Sequence, residues 1–163
     1  MGVADDLLEH NRAYVSAHVP RRLQVAPSLR LAIVTCMDSR LDVFAALGLD
    51  HGQAHILRNA GGVVTDDVIR SLAISQRRLG TRTVMLIHHD DCGMQLITDE
   101  GFGAELEEAA GMPPPFAIES FTSVEEDVRR SIERVRRSPF LLHRDDVRGF
   151  VYDVEIGALR EVC

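Results

Sequence analysis

Three side chains of the kinds that bind zinc follow two apolar runs of the sequence. Cys36 closes the run LRLAIVTC, and His89 with Cys92 forms a His-x-x-Cys pair after the run TVMLIH. Thiolate and imidazole suit zinc, and this spacing lets both side chains of the pair turn toward one ion from a tight loop. A structural zinc site normally has four protein ligands, whereas a catalytic site keeps one position open. The sequence therefore predicts a zinc ion held by three residues that activates a water molecule.

A carboxylate and a guanidinium follow Cys36 in the segment CMDSR. Asp38 and Arg40 can pair on one side of a turn, and such a pair keeps the carboxylate ionised. The carboxylate can then accept a hydrogen bond from a water on zinc, or it can ligate zinc itself and close the site. A purely structural salt bridge is the third interpretation, and the residues alone leave all of these open.

Composition excludes several other classes of function. The formal net charge of -7 and the isoelectric point of about 5.4 argue against a nucleic-acid or anionic-membrane partner. All 18 basic residues are arginine, which excludes Schiff-base chemistry and a phosphate-binding loop with its lysine. The N-terminal segment lacks the apolar core of a signal peptide. The three cysteines of the whole chain suit metal binding or catalysis in a reducing compartment better than a disulfide framework. We expect a cytoplasmic protein that does not enter a membrane.

Hydrophobic periodicity and capping residues predict alternating strands and helices. Buried strands are predicted at residues 29–36, 54–58 and 83–88, and helices at 5–18, 41–47 and 65–79. A less regular stretch follows, up to the prolines at 113–115. Ser123 and Glu126 then form a capping box that opens a helix to about residue 137. Residues 149–154 and 158–162 are predicted to form a closing hairpin.

This alternation predicts an α/β fold with a central, mostly parallel sheet flanked by helices, in a single domain of residues 1–163. The expected strand order is 2-1-3-4, with an antiparallel edge strand from the hairpin. Ligands collect at the carboxyl ends of the strands in such sheets. If the first and third strands are neighbours, Cys36, His89 and Cys92 converge in one crevice.

Three segments in register resemble the signature segments of β-class carbonic anhydrases, most closely the short bacterial members. They are CMDSR at 36–40, RNAGG at 58–62 and HDDCG at 89–93, and the resemblance spans residues 29–94. It implies reversible hydration of CO2 to bicarbonate and a proton by zinc-bound hydroxide, with one Zn2+ per subunit. The family's zinc ligands map to Cys36, His89 and Cys92, and its Asp–Arg pair maps to Asp38 and Arg40.

The resemblance also implies an assembly and leaves alternatives. It implies a homodimer or a dimer of dimers, with an N-terminal helix within residues 1–20 reaching over the partner and active sites near the interface. Asp90 and Asp91 stand where small or neutral residues are commoner; they can raise the pKa of the zinc-bound water, or point to solvent. The alternative functions are hydrolysis of carbonyl sulfide or carbon disulfide at the same site, and a non-catalytic zinc-binding regulatory protein with Asp38 as a permanent fourth ligand.

Overall fold

A five-stranded sheet forms the centre of residues 2–19 and 22–162, the part of the chain that this computed structural model describes. The strands are β1 (Leu31–Cys36), β2 (Ala54–Asn59), β3 (Thr83–His89), β4 (Val147–Tyr152) and β5 (Leu159–Glu161). Their order is β2-β1-β3-β4-β5; β1 runs parallel to β2 and β3, β3 runs parallel to β4, and β5 is antiparallel to β4. The predicted order and the antiparallel edge are confirmed.

The α-helices are α1 (Val3–Ala17), α2 (Val43–Leu47), α3 (Asp66–Leu79), α4 (Asp99–Ala110) and α5 (Val124–Arg137). Helix α1 precedes β1 and the other helices lie between strands in the chain; all except α4 begin and end within two residues of the predicted bounds. The Thr65 hydroxyl accepts a hydrogen bond from the Val68 N–H, and the Ser123 hydroxyl accepts one from the Glu126 N–H. These bonds satisfy backbone donors that the first turn of a helix leaves free, so each fixes where its helix begins.

The prediction was wrong about helix α4, which lies in the stretch expected to be irregular. Gly101 and Gly103 lower the intrinsic helix propensity of the segment, and none of its residues is buried, so no apolar stripe announces it. Its ends are nevertheless well defined. The Thr98 hydroxyl accepts a hydrogen bond from the Gly101 N–H at 3.1 Å, and Gly111 ends the helix with a φ of 74°.

The two central strands carry the core of the protein. Ala32, Ile33 and Val34 of β1 are fully buried, as are Val84 and Leu86 of β3. Because consecutive β1 residues face opposite sides of the sheet, burial of all three means that both faces are covered. The carboxyl ends of β1 and β3 are therefore held rigidly beside each other.

Helix α1 stands apart from this core. None of its residues is buried, and Leu7, Leu8, Tyr14 and Val15 are each more than half exposed. The predicted N-terminal helix is thus present, although residues 1 and 20 of the predicted segment lie outside the described residues. Among the helices described, none has both the length and the apolar character needed to cross a membrane.

Candidate metal centre

Cys36, His89 and Cys92 meet at the carboxyl ends of β1 and β3. Cys36 is the last residue of β1, His89 is the last of β3, and Cys92 follows in the next loop. Because β1 and β3 pair directly, the three ligand atoms all lie within 4.8 Å of one another. All three residues are buried. Two sulfur atoms and one imidazole nitrogen at these separations fit one tetrahedral zinc ion with a fourth position left over.

The hydrogen bonds of His89 leave one ring nitrogen for a metal. Its Nδ1 lies 2.7 Å from the Asp90 carbonyl oxygen, a group that only accepts, so Nδ1 carries the proton. Nε2 is then the nitrogen with a free lone pair, and it is buried without a hydrogen-bond partner among the described residues. A buried nitrogen left without a partner is costly, and a metal ion would satisfy it. The donor set therefore fits zinc.

The two thiols differ in their tendency to ionise. Contact with the Cys92 thiol lowers the pKa of Cys36; burial opposes this, and the nearby His89 supports it. Contact with Cys36 raises the pKa of Cys92, and burial raises it further. Burial opposes protonation of His89, but its interaction with Cys36 raises the His89 pKa on balance. Cys36 therefore ionises more readily than Cys92.

Asp38 and Arg40 pair beside this cluster. Arg40 Nε lies 3.0 Å from Asp38 Oδ1, its Nη2 lies 2.8 Å from Asp38 Oδ2, and its backbone N–H also donates to Oδ1 at 2.9 Å. The side-chain and backbone N–H groups of Arg40 hold the pKa of Asp38 well below its usual range. Asp38 Oδ2 lies 3.7 Å from His89 Nε2. The carboxylate is thus next to the cluster while it is bound to Arg40, and its service as a metal ligand stays a prediction.

Sequence reasoning did not assign a role to Arg58, which holds the loop after β1. Its Nε donates to the Cys36 carbonyl oxygen at 2.9 Å, and its Nη2 donates to the Asp38 carbonyl oxygen at 2.5 Å. The signal was its place in the segment RNAGG. Because both acceptors are backbone atoms 20 or more residues away, the sequence could not name them.

Gly62, in the same segment, lies against the backbone of β1. A Cβ at this position would stand 2.9 Å from the Cys36 nitrogen, and the Gly62 φ is 73°. Both facts require glycine, since no other residue fits the space or adopts this φ readily. The sequence suggested a turn or a close approach to the substrate pocket; the structure shows a close approach to the backbone of the candidate metal ligand Cys36.

The two acidic residues between His89 and Cys92 are both engaged. The Asp90 carboxylate accepts a hydrogen bond from the Val154 N–H at 3.0 Å, and its own N–H donates to the Tyr152 carbonyl oxygen at 3.1 Å. The Asp91 carboxylate binds Arg40 Nη1 at 2.7 Å. Asp90 therefore fastens the ligand loop to the end of β4, and Asp91 fastens it to the Asp38–Arg40 pair.

A cavity of about 540 Å³ adjoins the loop that carries Cys92, with Ala60 and Met94 in its wall. Most of its other lining side chains are apolar, namely Leu57, Val63, Val68, Ile97, Phe102, Phe116, Ala117 and Ile118. Its polar groups come from Arg58, Asn59, Thr65, Asp67, Ser71 and Glu119. Such a lining suits a small molecule that is largely apolar and makes some polar contacts.

In this mostly parallel sheet, two thiols and an imidazole meet at the ends of neighbouring strands, beside an ion-paired carboxylate. This combination of fold and site is that of a metalloenzyme. The family model described as "Carbonic anhydrase" matches residues 31–111. The chain is 50% identical to "Beta-carbonic anhydrase 1" of Mycobacterium tuberculosis, over 99% of each sequence. It belongs to the β-class carbonic anhydrase family, and the prediction made from the three segments is confirmed.

The chain is also similar to a solved carbonic anhydrase and to an enzyme named for a different substrate. A crystal structure of carbonic anhydrase from Streptococcus mutans superposes with a TM-score of 0.93 at 46% identity and covers 100% of this chain and 99% of that one. "Carbon disulfide hydrolase" of Acidithiobacillus thiooxidans is 33% identical, over 86% of this chain and 80% of its own length. The chain is thus similar to proteins named for two different substrates.

Proposed function

We propose that this chain is a carbonate dehydratase that binds one zinc ion per subunit and catalyses the reversible hydration of CO2 to bicarbonate and a proton. The observation that carries the proposal is the convergence of Cys36, His89 and Cys92 within 4.8 Å in a member of this family. Zinc, when bound, lowers the pKa of a coordinated water and so supplies a nucleophile at neutral pH, for which the unrelated three-histidine carbonic anhydrases are the standard example.

The remaining chemistry belongs to the Asp38–Arg40 pair. Asp38, kept ionised by Arg40, accepts a hydrogen bond from the attacking water and so directs its lone pair toward the carbon of CO2. Arg40 also holds Asp38 away from the fourth ligand position. If Asp38 leaves Arg40, it can take that position and close the site. Activity therefore depends on which of the two partners Asp38 has.

His89 is held in its working orientation by the Asp90 carbonyl oxygen, which fixes the protonated nitrogen on the far side of the ring. Arg58 fixes the backbone of Cys36 and Asp38 together. A metal ligand and the orienting carboxylate thus share one rigid support, which keeps their separation constant through the reaction.

The test is CO2 hydration measured by stopped-flow with zinc content determined on the same samples. The Cys92→Ala variant is expected to lose zinc and, with it, hydration above the uncatalysed rate. Glu133→Gln serves as the control, because it breaks an exposed ion pair with Arg137 at the C-terminal end of α5. This variant should retain zinc and CO2 hydration. Full activity in a preparation shown to lack zinc would contradict the proposal.

Hydrolysis of carbonyl sulfide or carbon disulfide is the second candidate. It is favoured by the 33% identity to a carbon disulfide hydrolase and by the largely apolar cavity beside the Cys92 loop, whose lining does not distinguish CO2 from its sulfur analogues. The 50% identity to a carbonic anhydrase over nearly the whole chain favours CO2. Rates measured side by side on CO2 and carbon disulfide with one enzyme preparation decide between the two.

We also propose that the chain works in the cytoplasm as a homodimer or a dimer of dimers. Support for assembly comes from α1, whose apolar side chains have no cover in the single chain. Support for the compartment comes from Cys36 and Cys92, which are free thiols suited to reducing conditions. Neither a nucleic acid nor a membrane is proposed as a partner, because the chain is strongly acidic.

A further inference from the structure

Arg40 has a second acidic partner in addition to Asp38. Asp38 takes the Nε hydrogen and one Nη2 hydrogen. The Asp91 carboxylate accepts from Nη1 at 2.7 Å, and the Asp91 carbonyl oxygen accepts from Nη2 at 2.9 Å. A guanidinium offers five N–H groups, so the two aspartates bind different hydrogens of one side chain. Their contacts with Arg40 are compatible, and neither has to break for the other to form.

The backbone of Asp91 makes this double contact possible. Its φ is 49°, in the left-handed region that few residues other than glycine, asparagine and aspartate adopt. Its carboxylate and its carbonyl oxygen both face the same guanidinium. Because Asp91 directly precedes the metal ligand Cys92, Arg40 connects the loop after β1 with the loop after β3.

We propose that Asp91 is a positioning residue for the reaction, which anchors Arg40 so that its Nε edge stays on Asp38 and keeps that carboxylate off the metal. The proposal rests on the proposed roles of Asp38 and Arg40. The Arg40 side chain is 44% exposed, so without the two bonds to Asp91 only its bonds to Asp38 hold the guanidinium out of solvent. Asp91 is 76% exposed, which screens its pull on the Arg40 charge and leaves anchoring as its main effect.

Two variants separate the charge of Asp91 from its side chain, and both keep the backbone unstrained. Asp91→Gly removes the side chain and tolerates a positive φ, whereas Asp91→Asn keeps an accepting oxygen and also tolerates it. Glu133→Gln is the control, since it too removes the carboxylate from an exposed ion pair. Each protein is loaded with zinc, assayed for kcat/KM at neutral pH, analysed for zinc, and crystallised to locate the Asp38 carboxylate.

We expect kcat/KM to fall by about two- to fivefold in Asp91→Gly and by less in Asp91→Asn. This range corresponds to the free energy that an exposed ion pair contributes. Zinc content should be unchanged, and the Asp38 carboxylate in Asp91→Gly should lie partly on zinc and not wholly on Arg40. The partial rescue by asparagine and the shift of Asp38 are effects that a merely structural role would not produce.

Two results overturn the proposal: Asp91→Gly with the kcat/KM of the control and Asp38 still on Arg40, or a loss of activity matched by an equal loss of zinc. If the proposed function itself is wrong, the activities differ from both of these results, because the wild type then hydrates CO2 no faster than Asp38→Ala does. The position of Asp38 in the wild-type and Asp91→Gly crystals still tests the anchoring in that case.

Discussion

At the scale of single residues, the two thiols of the candidate metal centre differ in how readily they ionise. Cys36 has a lowered pKa because it contacts the Cys92 thiol, and Cys92 has a raised pKa because it contacts Cys36 and is buried. Zinc takes thiolates, so binding must remove the proton that Cys92 keeps at neutral pH. The ionisation state of the two thiols in the metal-free protein therefore determines how many protons zinc binding releases.

Zinc binding to the metal-free protein should therefore release at least one proton per ion, and the apparent affinity should rise with pH below the raised pKa of Cys92. The sign follows because higher pH favours the deprotonated form that zinc requires. Calorimetric titration in two buffers of different ionisation enthalpy measures the number of protons. An identical heat in both buffers would contradict the assignment of the proton to Cys92.

Several contacts of single residues could not be predicted from the sequence. The three ligands and the Asp38–Arg40 pair were predicted because their types and spacing fit zinc chemistry. The bond from Arg40 to Asp91 joins residues 51 positions apart, and it depends on a φ of 49° that no local pattern shows. Long-range side-chain contacts follow from the folded geometry, and pattern reasoning on one sequence does not provide that geometry.

At the scale of elements, the signals that locate a helix or strand are burial and capping. Strands β1 and β3 were predicted because both of their faces are covered, which gives continuous apolar runs. Helix α4 was missed because it buries no residue and contains Gly101 and Gly103. Thr98 caps the helix, but a capping residue without an apolar stripe is a weak signal in a sequence.

The turn that follows β2 supports the end of β1, and Gly62 is the contact point. Gly62→Ala should lower the free energy of unfolding by about 1–3 kcal/mol, because the φ of 73° is strained for alanine and its Cβ would press on the Cys36 backbone. Zinc affinity should fall as well, since Cys36 must shift. Denaturant unfolding and a competitive zinc titration measure the two effects.

Gly48→Ala is a suitable control for that substitution. Gly48 also has a positive φ, of 62°, but nothing lies within 4 Å of the position its Cβ would take. It should therefore lower stability without weakening zinc binding. Equal losses of zinc affinity in the two variants would show that strain alone, and not contact with β1, explains the effect at Gly62.

At the scale of the whole molecule, the net charge of -7 fits the proposed reaction in one direction. A neutral substrate such as CO2 is not repelled by an acidic protein, whereas bicarbonate is an anion and is. In the reverse reaction, where bicarbonate is the substrate, its attraction must come from local groups. Arg58 in the cavity wall is one such group.

Helix α1 provides the test of assembly. We expect analytical ultracentrifugation to give a molecular mass of no less than twice the chain mass of 18.1 kDa. Leu8 and Val15 lie seven residues apart on one face of α1, and both side chains are more than half exposed in the single chain. If this face is the interface, the double variant Leu8→Glu, Val15→Glu places two charges in it and should shift the protein toward monomer. Ala13→Glu adds the same kind of charge on the opposite face and should leave the assembly intact. Sedimentation unchanged by the double variant would show that α1 is not the interface.

The direct pairing of β1 with β3 has a consequence for how the protein acquires its metal. Small zinc domains fold only around their ion, because the ion supplies the core that they lack. Here the ligands stand at the ends of two strands that are buried for their own reasons, and Gly62 and Arg58 support Cys36 without any metal. We therefore expect the chain to fold without zinc and to bind the ion afterwards.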